Sequence, residues 1–298
     1  MNQTNFITPR SLALHDGAFH ADDVAACALL LLCDCIDRNK IIRSRNPSLI
    51  ADCEYVCDVG GTYDPENKRF DHHQISYQGP LSSAGMILLY LTNTKQLSQE
   101  EADLFNNSLI KGIDAHDNGK DPQIPGYCSF SNIISNFTPI HYDASDDEYS
   151  QAFFSAVQFT LQHLKRLQTR FRYTKECRKI VAEAMAPQNV YLFFDKPIPW
   201  MEMFFSLGGN SHPAKFVIMP TADHWKLRCI PPSQTQKMQM RHPLPAEWAG
   251  LLEEELQKIS GISGAIFCHK SRFISVWKTK EDALKALTLT LQAKGVAP

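Results

Sequence analysis

An α/β architecture is what this 298-residue sequence predicts: a doubly wound parallel sheet, then a long connecting helix, then a smaller mixed α+β C-terminal domain. Three observations predict it. Short apolar, β-favouring runs alternate with helical patterns from Leu12 to Leu91, the order that builds parallel βαβ units. The stretch from Tyr149 to Met185 contains neither Pro nor Gly. Beyond Pro187, short strand patterns are mixed with helical ones. The divisions follow as 1–142 for the sheet domain, 143–187 for the connecting segment and 188–298 for the last domain.

Taken in order, Leu12-Ala13-Leu14 reads as a strand, His15–Asp23 as a polar loop and residues near 21–36 as a helix. Ile41–Arg45 and Tyr55–Val59 are further strands, the second stopped by Gly60-Gly61. Asp64-Pro65-Glu66-Asn67 reads as a turn and Arg69-Phe70 as a short returning strand. Ser82-Ser83-Ala84-Gly85 opens a helix; ordinary capping by the serines and a phosphate-binding helix N-terminus both fit it. Ser98-Gln99-Glu100-Glu101 is a capping box for a helix to about Gly112, with Asp114 and Asp117 just beyond its end. Lys120–Tyr142, rich in Pro, Gly, Ser and Asn, reads as a long loop. A second capping box at Ser145-Asp146-Asp147-Glu148 starts the long or slightly broken helix that Pro187 ends. Strands are expected near 189–194, 214–220, 225–230, 264–269 and 272–277, and helices near 245–259 and 280–293.

Composition narrows the function. Hydrophobic residues make up 44% of the chain, enough for two cores. The nine cysteines form no Cys-x-x-Cys pair and many sit in apolar runs, which points to a reducing, cytoplasmic setting. No segment reads as a signal peptide or a membrane span, so no membrane partner is expected. The net charge of −2 conceals an asymmetry: residues 1–150 carry −11 and residues 151–298 carry +9. An acidic half suits cation binding; a basic half suits an anionic ligand. There is no Gly-rich loop ending in Gly-Lys-Ser/Thr and no serine elbow, which argues against nucleotide-driven and Ser-hydrolase chemistry.

Two clusters stand at predicted strand ends: His15-Asp16-Gly17-Ala18-Phe19-His20-Ala21-Asp22-Asp23, and Asp58 followed by Asp71-His72-His73. Either alone is explained by turns and chance. Together, outside the carboxyl ends of parallel strands, they indicate a metal site. Carboxylate oxygens mixed with imidazole nitrogens suit Mn²⁺, with Mg²⁺, Co²⁺ and Zn²⁺ as competitors, and two divalent cations are expected.

The set His15, His20-x-Asp22, Asp58-Val59-Gly60-Gly61, Asp71-His72-His73, Leu81-Ser82-Ser83-Ala84-Gly85 and Asp114-Ala115-His116-Asp117-Asn118-Gly119 resembles the melanocyte proliferating gene family, the exonuclease branch of the DHH phosphoesterases. The likeness continues through Pro243-Leu244-Pro245-Ala246-Glu247-Trp248 and Ser260–His269, so it covers essentially the whole chain. One departure is visible. The wider superfamily's first motif reads His, three residues, Asp, one residue, Asp; here His20 takes the first Asp position and His15 lies five residues earlier, leaving open whether His15 or Asp16 completes the site.

The resemblance implies a DHH-type domain in which Asp58 bridges two cations, with His15, His20 and Asp22 on one side and His72 and Asp117 on the other. Asp114 is a further candidate ligand or a partner of one. His73 is expected to face the phosphate and Asp71 to orient an imidazole. The last domain would hold substrate, with His269, Arg272, Arg241 and Arg228, together with Ser82 and Ser83, as candidate phosphate contacts. The implied activity is hydrolysis of phosphodiester bonds, as an exonuclease on RNA or oligonucleotides. A pyrophosphatase or cyclic-dinucleotide phosphodiesterase is the alternative, and a non-catalytic RNA-binding module the remote one. Oligomeric state is left open, a homodimer included.

Overall fold

The computed structural model describes residues 7–122, 124–141 and 143–293. The chain divides into two compact units, one ending at Phe171 and the other beginning at Arg172. The first contains β1 (Thr8–Leu14), α1 (Ala21–Leu32), β2 (Ile41–Arg43), α2 (Pro47–Ala51), β3 (Cys53–Cys57), β4 (Tyr63–Asp64), β5 (Arg69–Phe70), α3 (Ser83–Asn93), α4 (Gln99–Phe105), α5 (Lys111–Asp117) and α6 (Phe130–Ser135). It also holds most of α7 (Asp146–Glu176), so the helix assigned by sequence to a separate connecting segment is shared between the units.

The sheet order is β2-β1-β3-β5-β4. β1 pairs in parallel with β2 and β3, and β3 with β5; the two-residue β4 is antiparallel to β5. Strand alternation decides which side chains share a face. Leu12, Leu14, Tyr55 and Cys57 join the large core with α1 and α3, whereas Ala13 and Val56 turn the other way into a small cluster with Ile50 of α2 and Cys53. Helices thus lie on both faces, unequally: α1 and α3 on one, and, among the described residues of the small cluster, α2 on the other. Asn46 caps α2 by accepting from the Ser48 amide, with Pro47 in the first turn.

Other differences follow from local chemistry. The helix that starts at the Ser98 capping box does not stop near Gly112; it passes through a π-helical stretch, Asn106–Ile110, into α5. Asp114 and Asp117 thus lie on the helix, not beyond it. The predicted loop 120–142 contains α6, which Ser129 caps through the Asn132 amide. No helix among the described residues is long and apolar enough to cross a membrane.

The second unit takes the end of α7, then α8 (Arg178–Met185), β6 (Tyr191–Phe193), α9 (Trp200–Ser206), β7 (Phe216–Thr221), β8 (His224–Cys229), α10 (Glu253–Ser260), β9 (Ala265–Cys268), β10 (Ile274–Trp277) and α11 (Lys280–Gln292). Its sheet order is β6-β7-β8-β10-β9, parallel between β6 and β7 and antiparallel elsewhere. Trp200, Trp248 and Trp277 are core. Cys177 separates α7 from α8, so the long helix is slightly broken. The seven-residue α9 is an addition to the sequence expectation. Helix α10 starts at Glu253, well after 245, because Leu252 is held extended by a bridge to Phe267.

Candidate metal centre

The first unit gathers its acidic and imidazole side chains at the carboxyl ends of β1 and β3. β1 ends at Leu14 and delivers His15; β3 ends at Cys57 and delivers Asp58. The chain reverses at once, with φ of 58° at Asp58, 94° at Gly60 and 65° at Gly61. A left-handed conformation is strained for an aspartate, and such strain concentrates at functional positions. The reversal leaves Asp58 buried and reachable from several sides.

Three groups of ligand atoms form, each within 4.8 Å: His15, Asp23 and Asp58; Asp58, His72 and His73; His20, Asp22 and Asp117. Asp58 belongs to two of them. His15 Nε2 lies 3.3 Å from both Asp23 Oδ2 and Asp58 Oδ2. His72 Nε2 lies 3.4 Å from Asp58 Oδ1, 3.1 Å from Asp117 Oδ2 and 3.8 Å from Asp22 Oδ2. The partition implied by the resemblance, His15 with His20 and Asp22, is regrouped: His20 and Asp22 stand with Asp117, and His15 with Asp23 and Asp58.

Asp23 is the member of these groups that the sequence reading misses. Its Oδ1 accepts from the His20 and Val24 amides at 3.0 and 2.7 Å, an ordinary role in the first turn of α1, while Oδ2 turns to His15. The Asp22-Asp23 doublet is the only sequence signal, and helix capping explains it equally well. Asp16 is not in any of these groups: it pairs with Arg45, and its carbonyl lies 2.9 Å from His15 Nδ1. That contact leaves Nε2 of His15 toward the carboxylates.

Asp71 stays outside the groups and holds parts of the site in place. Its Oδ1 lies 2.8 Å from His73 Nδ1 and its Oδ2 accepts from the Gly61 amide at 2.6 Å. His73 is 63% exposed, in contrast to the buried Asp71. Ser83 donates to Asp58 Oδ1 at 3.2 Å and to the Phe70 carbonyl at 2.9 Å. Asp114 Oδ1 accepts from Ser82 N, Ser82 Oγ and Gly85 N at 3.0, 2.7 and 3.2 Å. These contacts correct three readings. Ser82 and Ser83 are fully buried and turned onto carboxylates rather than toward a substrate phosphate, and Asp114 fastens the start of α3 instead of joining a metal group.

The electrostatics suit a cation. Burial, then the charges of Asp58, Asp117 and Asp23, drives the Asp22 carboxyl well above the usual range. Burial pushes Asp23 up to about 7 against the opposing pull of His15. Asp117 is also raised, by burial foremost. Asp58 goes the other way: burial opposes ionisation, but His15 and His72 hold the carboxyl well below its ordinary value. His72 is raised, chiefly by Asp58; His15 is raised too, its carboxylate neighbours outweighing burial. Asp22 Oδ1 and Oδ2, Asp23 Oδ2 and His72 Nε2 are buried without a hydrogen-bond partner. Such orphaned polar atoms among clustered carboxylates fit divalent cations, which would supply the missing contacts.

The remaining candidates lie in the second unit. Arg241 is bound into its own fold: its guanidinium donates to the carbonyls of Pro231, His212, Ala214, Gly209 and Pro232 at 2.6–3.5 Å. Its predicted phosphate contact is therefore replaced by a structural one. His269 and Phe273 have ring centroids 4.6 Å apart, and the Arg228 guanidinium lies 5.9 Å from the Phe273 centroid, so these side chains form one half-exposed patch. Arg272 turns the β9–β10 hairpin with φ of 58° and makes a long contact, 3.5 Å, to the Leu244 carbonyl.

Comparison with known proteins gives the family of the chain. The MYG1 protein of Chlamydia pneumoniae is 51% identical over 288 residues, 97% of this chain and 99% of that protein. The MYG1 exonuclease of Homo sapiens is 31% identical over 339 residues, 100% of this chain and 90% of that one. A crystal structure of RecJ in complex with Mn²⁺ from Thermus thermophilus aligns at 12% identity over 95% of this chain and 52% of its own, with a TM-score of 0.28, too low to carry an argument. The family model described as "Uncharacterised protein family (UPF0160)", the MYG1 exonuclease group, matches residues 11–291, and with relatives of this identity and coverage the chain belongs to that family.

Proposed function

We propose that the protein is a metal-dependent phosphodiesterase acting as an exonuclease on RNA or short oligonucleotides, with two divalent cations, Mn²⁺ foremost. The observation that carries this reading is the set of three His/Asp groups, two of which share Asp58, with the buried Asp22 oxygens of the third lacking a hydrogen-bond partner. The human relative's name, MYG1 exonuclease, supports it.

His15, Asp23 and Asp58 would hold one cation, and His20, Asp22, Asp117 and His72 the other, with Asp58 close to both sets. When bound, such cations supply nucleophile activation and neutralisation of phosphoryl charge. The protein supplies the rest. Ser83 and the left-handed turn fix Asp58; Asp71 holds His73 by Nδ1, leaving Nε2 to face a phosphoryl or leaving oxygen. The burial of His15, Asp22 and Asp23 restricts water around the reacting groups.

Purified protein, freed of metal and reloaded with Mn²⁺, tests the reading against labelled oligonucleotides, cyclic dinucleotides and pyrophosphate. Stepwise shortening of the oligonucleotide is the expected result. Turnover of pyrophosphate alone would overturn the nuclease reading, and hydrolysis without metal would overturn the metal assignment.

A further inference from the structure

Beside the metal centre, wholly within the first unit, lies a cavity of about 1190 Å³, beyond the roughly 300–1,000 Å³ of common small-molecule pockets. Its lining brings His73 and Asp58, with Arg45 and Arg69, together with the apolar Pro47, Ile50, Ala51 and Val59. It therefore joins the exposed imidazole of the site to the thinly covered face of the sheet, where α2 packs on the small apolar cluster. Gly60 keeps that wall clear: a Cβ there would sit 3.8 Å from Val56 and 3.9 Å from Ile50, and its φ of +94° disfavours any side chain.

An all-anionic substrate such as pyrophosphate has no use for such a wall. A nucleoside does, because its base presents apolar faces that gain by leaving water, while its sugar stays near the polar rim. We propose that this cavity seats the terminal nucleoside of the strand, with the base against Ile50 and Val59 and the adjoining phosphodiester at His73. The assignment rests on the exonuclease reading and adds the subsite that makes the enzyme act at a strand end. The wall residues Pro47, Ile50, Ala51 and Val59 carry no side-chain hydrogen-bonding group with which to read a base edge, so a base packed on that wall is held without regard to its identity.

The test uses the full chain with Mn²⁺ and hexanucleotides whose terminal residue, at one end or the other, is either normal or abasic. Loss of the base at the cleaved end should raise KM by about 10–200-fold, the range commanded by apolar pocket contacts, with kcat little changed. Strands ending in each of the four bases should differ by less than about 10-fold, the low end of that range. In Ala51→Trp, whose indole would cover the apolar wall of the cavity, the normal-to-abasic ratio should collapse toward one; Val59→Ala, a milder change, should shrink it in part and covers the case in which the first variant misfolds. Equal kcat/KM for normal and abasic ends in the unaltered protein, with hydrolysis intact, would overturn the subsite and leave the phosphodiesterase standing. No hydrolysis of any oligonucleotide by metal-loaded protein would overturn both.

Discussion

At the scale of single residues, the centre is built from groups held against their preferred states. Asp58→Ala should abolish hydrolysis and lower metal content, leaving a soluble fold, because it removes a strand-end ligand and not core volume. Asp71→Asn should cost only about 10–100-fold in kcat, as outer partners of catalytic imidazoles do, with metal content retained. Mass-spectrometric metal counts and steady-state kinetics separate the two. The pH dependence has a definite sign. Asp22, Asp23 and Asp117 bind protons more tightly folded than unfolded, so their contribution to apo stability is present below the unfolded carboxylate pKa and is lost as pH rises, for Asp23 through about 7. His15 and His72, also raised, lose theirs as pH rises through the folded values. Asp58 opposes this, since its contribution is lost as pH falls. In EDTA, Tm should therefore decline from about pH 5 to about pH 8, while the gain in Tm on adding Mn²⁺ should grow, because the cation displaces those protons. A flat apo profile with a pH-independent Mn²⁺ shift would contradict these proton affinities.

At the scale of elements, the start of α3 depends on a fit that the sequence displays only as small residues. A Cβ on Gly85 would come within 2.4 Å of Asp114 Oδ2, so Gly85→Ala should destabilise by about 1–3 kcal/mol through overpacking. Asp114→Ala should cost a similar amount, about 1–3 kcal/mol, by leaving the Ser82 and Gly85 amides unpaired, yet keep full metal stoichiometry. Loss of metal from folded Asp114→Ala would return this residue to the ligand set. Arg241→Ala should likewise lower Tm while leaving activity per folded molecule near normal, because its guanidinium ties together loop carbonyls. Sequence misreads these residues for one reason. A Ser, Asp or Arg reads the same whether its polar atoms face a ligand or the protein's own backbone, and only the fold distinguishes them.

For the whole molecule, the unequal charge of the two halves makes a kinetic claim. KM for a single-stranded oligonucleotide should rise with salt, by about 0.7 in log–log slope for each phosphate neutralised, and charge reversal at Lys179, an exposed residue of the basic half, should lower the slope. A salt-independent KM would remove the basic half from substrate binding. The sequence by itself determined the alternation of strands and helices in the first half and the position of the His- and Asp-rich loops at strand ends, because periodicity, glycine stops and clustered donors are local signals. It also carried the family, through motifs spread along the whole chain. Tertiary structure alone decided the rest: that Asp23 belongs with His15 and Asp58, that Asp114, Ser82 and Ser83 brace the site, that Arg241 serves its own loops, and that a cavity opens beside His73. Those outcomes depend on which groups distant in sequence meet, and on how much of each sheet face the helices cover, and neither is encoded in any local pattern.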